Sequence, residues 1–245
     1  MRDIDPQFLI MNLVAVVLGV TIHEFSHAFV AYRLGDPTAA QLGRVSFNPV
    51  VHFDPLGAMM MLFLMLGYAP IAWGKPVPIN TFRIRGGRRG LAWSSMAGPA
   101  SNLLLAALFA IPLQTGLMDV ASPQVRQFLT TVVAINLGLA AFNFIPLPPL
   151  DGFNTLSGLL PNGWVTPMER LRRPANVALM ILIILPWAAN QLQLFNVNAN
   201  LLQAMVGPLY QLFQRMLLPA GGCCQPFHDP HWNDAPQSAD HVSHR

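Results

Sequence analysis

The chain has 245 residues, of which 53% are hydrophobic and only 10% charged, and its formal net charge is +3. This is the composition of an integral membrane protein with room for one membrane domain. The scattered cations in short loops read as a topology signal and give no surface for nucleic acid. The two cysteines, Cys223 and Cys224, are adjacent near the C-terminus and exclude a disulfide framework.

Arg2 is offset by Asp3 and Asp5, and no small-residue cleavage site follows, so the first apolar run reads as a resident helix and not a signal peptide. Apolar segments lie at about Phe8–Tyr32, Leu56–Trp73, Leu91–Leu113, Phe128–Ile145, Val177–Phe195 and Leu201–Leu218. The expected fold is therefore all-α: a polytopic membrane protein with about five to six hydrophobic segments, one of them re-entrant.

The first segment carries VVLGVTIHEFSHAFVAYRLGD, in which His23, Glu24 and His27 spell H-E-x-x-H. Residues four apart project from one face of a helix, so His23 and His27 reach a single metal ion. Glu24 lies one position round from His23, where a carboxylate acts as general base toward a zinc-activated water. Roughly 15 apolar residues precede His23, a depth of about 22 Å at about 1.5 Å per residue. The motif thus falls within a hydrocarbon core about 30 Å thick. Ionisable groups there are costly unless ligated or paired, and no Lys or Arg lies nearby in the segment to pair with them.

His52, in NPVVHFDP, falls in the loop entering the second segment. It reads equally as a substrate or site contact and as a turn histidine satisfied by backbone. The second segment is Gly- and Pro-interrupted at its end (GYAPIAWGKPVP), as a re-entrant element packed in protein would be. Arg83, Arg85, Arg88 and Arg89 precede the Leu91 segment, and Arg170, Arg172 and Arg173 precede the Val177 segment. Both clusters are expected on the cytoplasmic face, which favours the re-entrant reading over a full span. Gly207-Pro208 leaves the last segment open between a broken span and a surface helix. Residues 1–220 form the expected membrane domain. The polar segment 221–245 reads as a disordered tail whose irregularly spaced His228, His231, His241 and His244 are solvated.

A zinc hydrolase needs a third protein ligand and an open position. Besides Glu24, the carboxylates between the first helix and the tail are Asp36, Asp54, Asp119, Asp151 and Glu169. Asp36 and Asp54 each precede a proline and read as caps. Asp119 falls on the outer face, and Glu169 sits among arginines as an ion-pair partner. Asp151 follows AAFNFIPLPPLDG, where Pro146, Pro148 and Pro149 end a helix and Gly152 permits a tight approach. Alone it reads as an Asp in a helix-terminating turn. Beside H-E-x-x-H it reads as the third ligand.

HEFSH in a first helix, GPASN opening a later one and NFIPLPPLDG closing another resemble the site-2 protease family of intramembrane zinc metalloproteases, over about Phe8–Phe153. GRVSFNPVVHFDPLG and WGKPVPIN resemble its compact prokaryotic branch without a PDZ insert. The resemblance implies that His23, His27 and Asp151 bind Zn2+ and that Glu24 is the general base. It also implies that Asn143 donates to the scissile carbonyl or oxyanion, and that Asn102 lies near the site. The implied partners are the bilayer and a membrane-protein substrate helix, and the implied location is a prokaryotic cell (inner) membrane. Two rival readings stay open. One is a transporter with a midplane His/Glu cation site, although no internal repeat is evident. The other is an inactive helix-binding scaffold, which has no need of Glu24.

Overall fold

Asp5 and Pro6 supply a helix start: the Asp5 carboxylate accepts from the Gln7 N–H at 2.9 Å, and proline occupies the first helical position. From there α1 runs over Pro6–Arg33. The computed structural model describes residues 5–66, 68, 74–115, 117, 121–192 and 201–218. Parts of the expected re-entrant segment (67 and 69–73), Asp119 and the tail beyond 218 lie outside these residues. A short α2 (Thr38–Gln41) and a 3-10 turn at Pro49–Val51 lead to α3 (Pro55–Met65), capped by Asp54. A segment without regular secondary structure over 74–80 then leads to α4 (Arg88–Gln114), followed by α5 (Pro123–Asn143), α6 (Asp151–Leu159), α7 (Asn162–Gln191) and α8 (Leu201–Leu217). The described residues contain no strand, so the chain is all-helical as expected.

Among the described residues four helices are long and apolar enough to cross a bilayer: α1, α4, α5 and α7. The chain is a multi-pass membrane protein. With 11 residues α3 is about 16 Å long. That is too short to cross about 30 Å of hydrocarbon. Two features differ from the sequence expectation. The helix expected from Val177 begins at Asn162, so Arg170, Arg172 and Arg173 lie on its first half. Glu169 and Arg172 pair at 2.6 Å there, and this polar part of α7 carries no apolar run to announce it. The turn expected around Asp151 opens directly into α6, a nine-residue helix with Asp151 in its first turn.

Helix α4 sits at the centre, packed against α1, α5 and α6. Along α1 the buried residues Ala15, Gly19, His23, His27 and Ala31 recur every four positions. Along α4 the buried row is Ser94, Gly98, Asn102, Ala106 and Ala110. These two i±4 ridges meet antiparallel, and their small side chains bring the backbones close without a hydrophobic driving force. One half of the interface is polar and carries the histidines. The other continues into an apolar core of Ala106, Ala110, Val133, Leu137, Ala141 and Tyr210, where α8 packs on α4 and α5.

Asp36, read from sequence as a cap, does more than cap. Fully buried, it accepts from the Thr38 N–H at 3.0 Å and, across 44 residues, from the Asn80 N–H at 2.6 Å. Burial alone would raise its carboxyl. The Thr38 hydroxyl, the Asn80 and Thr38 N–H groups and the Arg83 charge outweigh burial and hold it below the usual carboxylate range. Because its folded value is depressed, its stabilisation is full above the ordinary carboxylate value of about 3.9 and disappears as pH falls through the lower folded value. Asp36→Ala is expected to lower stability by about 1–3 kcal/mol at neutral pH, since it strands partly buried N–H donors. Thermal unfolding in detergent from pH 7 down to pH 3 should show the gap from wild type beginning to narrow only below about pH 4. A gap that is absent at pH 7 overturns the assignment.

Candidate metal centre

His23 and His27 sit one turn apart on the buried face of α1. Asp151 reaches them because the Pro-rich turn after α5 reverses the chain and Gly152 lets α6 lie close over the end of α5. A Cβ on Gly152 would overlap Phe144 O and lie 2.5 Å from Ile145 O. The result is a triangle of ligand atoms: His23 Nε2 to Asp151 Oδ2 at 3.0 Å, His27 Nε2 to the same oxygen at 3.2 Å, and the two Nε2 atoms 3.0 Å apart. His23 and His27 are buried and Asp151 half-buried.

The far side of each imidazole is fixed. His23 Nδ1–H donates to Asn102 Oδ1 at 2.6 Å, and His27 Nδ1–H donates to the Ser94 carbonyl at 2.6 Å. Ser94 Oγ returns a bond to the His27 carbonyl at 2.9 Å. With both Nδ1 protons committed to oxygens, each neutral ring aims the Nε2 lone pair at its neighbour and at the carboxylate. Three donor atoms crowded together in this way suit a cation. Zinc bonds of about 2.0–2.2 Å at near-tetrahedral angles separate ligand atoms by roughly 3.4 Å, so the triangle accommodates zinc with a small expansion. Asp151 supplies the third corner as a carboxylate oxygen, Oδ2, shared between the two rings.

Gly98 makes the clearance for this arrangement. A Cβ there would overlap His27 Nε2 and lie 2.5 Å from His27 Cε1 and 2.7 Å from His23 Cε1. Glu24 is half-buried and lies beside Gly74, the first residue of the segment 74–80, since a Cβ on Gly74 would lie 3.6 Å from Glu24 Oε1. That segment is held at one end by Lys75 N–H to the His52 carbonyl (2.8 Å) and Lys75 O to Arg44 (3.2 Å). Its other end is held by Asn80 to Asp36.

His23, His27 and Asp151 therefore come together, with Asn102 directly on His23. His52 stands apart from the triangle, fully buried in the loop, with Nε2–H donating to the Ser46 carbonyl at 2.7 Å. Asn143 ends α5 half-buried, its amide donating to the Leu139 carbonyl at 3.0 Å. Sequence reasoning missed Ser94 and Asn136, the latter bonded to Asn102 at 2.8 Å, and gave Gly98, the first residue of GPASN, no role of its own. The available signal was the four-residue spacing of Ser94, Gly98 and Asn102.

Fold and site together define a multi-pass helical membrane protein with a buried His-His-Asp cluster of metal-binding type. A Bacillus subtilis protein named "Putative zinc metalloprotease YwhC" is 33% identical over 180 residues, covering 71% of this chain and 80% of that protein. A Mycobacterium tuberculosis protein named "Putative zinc metalloprotease Rip2" is 28% identical over 179 residues, covering 72% of this chain and 68% of the relative. Rip2 of Mycolicibacterium smegmatis is 27% identical over 148 residues, covering 60% and 56%. No family model and no solved structure matches the chain. The chain belongs to the site-2 protease family of zinc metalloproteases.

Proposed function

We propose that the chain is an intramembrane zinc endopeptidase that hydrolyses a peptide bond in or near a transmembrane segment of a membrane-protein substrate. One observation carries the reading: Asp151 of α6 comes to 3.0–3.2 Å from His23 and His27, themselves 3.0 Å apart on a helix apolar enough to span the bilayer. A zinc ion at this cluster supplies Lewis acidity and lowers the pKa of a bound water to about 7.

The chain's own groups do the rest. Asn102 and Ser94 hold the imidazoles in the ligating tautomer. Glu24, not a member of the triangle, accepts the proton of the attacking water and passes it to the leaving amine nitrogen. Asn143 uses one amide hydrogen on Leu139 and has the other free for the oxygen of the scissile carbonyl as it gains charge. The substrate helix unwinds locally, because its peptide bonds are otherwise shielded. The segment 74–80 beside Glu24 would offer an edge for pairing with the unwound strand. The catalytic unit is residues 1–220 and the polar tail 221–245 is appended to it, in a chain resident in a prokaryotic cell membrane.

The test uses full-length protein purified in detergent, with metal analysis and a tagged transmembrane model substrate. About one zinc per chain is expected. Cleavage should stop when a strong chelator strips the metal and return on adding zinc. Protein without zinc, or product undiminished by chelation, overturns the proposal.

A further inference from the structure

We infer that Asn136 of α5 is a positioning residue for the metal centre, acting through Asn102 to fix the tautomer of His23. The inference rests on the zinc-site reading above and adds to it a residue two hydrogen bonds removed from the ligand atom.

Asn136 is fully buried in a helix of spanning length and makes no direct contact with a ligand. Its own amide is oriented: Nδ2 donates to the Val132 carbonyl one turn back at 2.8 Å, which turns Oδ1 toward α4. That oxygen accepts from Asn102 Nδ2 at 2.8 Å. The same Asn102 nitrogen also donates to the Gly19 carbonyl on α1 at 3.1 Å. Both Asn102 amide hydrogens are thereby held by oxygens, and only its carbonyl oxygen is left to face His23 Nδ1.

The chemistry of a flip shows what this controls. Were the Asn102 amide to rotate by half a turn, its NH2 would face His23 Nδ1 and its oxygen would face Gly19 O and Asn136 Oδ1. Oxygen against oxygen is repulsive and leaves buried acceptors unpaired. In the flipped arrangement His23 Nδ1 would accept, its proton would move to Nε2, and the ligating lone pair would be lost. Gly19 opposes the flip from α1 and Asn136 opposes it from α5. Removing Asn136 leaves only one of the two locks. The fit around it is close: a Cβ on Gly19 would lie 3.0 Å from Asn136 Oδ1 and 2.9 Å from Leu139 Cδ1.

A polar residue that merely joins α1, α4 and α5 would affect stability alone. A lock on the tautomer affects the affinity of the metal. Asn136→Leu removes donor and acceptor at similar volume. In Asn136→Asp a neutral, protonated carboxyl keeps an acceptor for Asn102 and a donor for Val132.

The experiment measures zinc affinity by chelator competition, and the visible spectrum of the cobalt-substituted protein, for wild type, Asn136→Leu, Asn136→Asp, Asn102→Ala and Asn102→Ala/Asn136→Leu. All are purified full-length in detergent, with thermal unfolding in parallel. Asn136→Leu is expected to weaken zinc binding by about ten-fold and to alter the cobalt spectrum. Asn136→Asp should stay near wild type, and Asn136→Leu should add nothing further once Asn102 is Ala. Wild-type affinity and an unchanged cobalt spectrum in Asn136→Leu overturn the inference. So does a ten-fold loss that persists in the Asn102→Ala background, because Asn136 then does not act through Asn102. If Asn136→Leu does not fold, Asn136→Ser replaces it with the same expectations. Wild type that binds no zinc overturns the zinc reading itself, an outcome distinct from wild-type binding with an indifferent Asn136.

Discussion

Glu24→Gln is expected to retain about one zinc per chain and to lower peptide hydrolysis by roughly 10²–10⁴-fold, the range a lost general base produces. The two halves of this result have separate structural causes. Zinc is retained because the three converging atoms belong to His23, His27 and Asp151, and Gln keeps the volume and hydrogen-bonding length of Glu beside Gly74. Activity is lost because an amide does not take up the proton of the attacking water or return it to the leaving nitrogen. Single-turnover cleavage of the transmembrane model substrate, with metal content measured on the same samples, gives both readouts. A Gln variant that cleaves like wild type removes Glu24 from the mechanism. A variant that loses its zinc shows that Glu24 serves the metal and not the proton. The result also separates a protease from a helix-binding scaffold, for which position 24 has no chemical task.

Much of this site was legible because its strongest signal is local. His23 and His27 are four residues apart on one helix, and helical geometry alone puts them on one face. Asp151 was reachable by going through the few carboxylates in turn, a procedure that works only because an apolar chain has so few. What supports the ligands was not legible. Ser94, Gly98 and Asn136 touch the histidines or Asn102 across helix interfaces, and nothing in local periodicity says which helices are neighbours. The row of small residues from Ser94 to Ala110 marks a close-packed face, yet its partner on α1 emerges only in three dimensions. Helix α6 escaped notice because nine residues behind a Pro-Pro turn carry too little periodic signal. The start of α7 escaped because polar helical turns look like loop in a chain read for apolar runs. The turn around Asp36 was read as a cap, and its buried bond to Asn80 joins segments that are distant in sequence.

Gly98→Ala is expected to cut zinc affinity by at least about 100-fold, the upper end of what a change just outside the ligand set produces. The added methyl would overlap His27 Nε2 and come within 2.5 Å of His27 Cε1 and 2.7 Å of His23 Cε1, so both rings must move. Neither has an easy retreat. His23 is bonded to Asn102 and His27 to Ser94, and those residues lie one turn to either side of Gly98 on the same ridge. If the rings swing away, both Nδ1 bonds break and the tautomers are released. If α4 backs off, it must also leave α5 and α6, against which it packs. Overpacking of this kind costs about 1–3 kcal/mol, so a lower unfolding temperature should accompany the weaker binding. Gly138 on α5 is the matched control: a Cβ there meets nothing within 4 Å, and Gly138→Ala should leave zinc affinity unchanged. Chelator competition and thermal unfolding on the two variants decide the matter. A Gly98→Ala protein that holds zinc as tightly as wild type would mean that the rings are free to move in the bound state, contrary to the bonds that fix them.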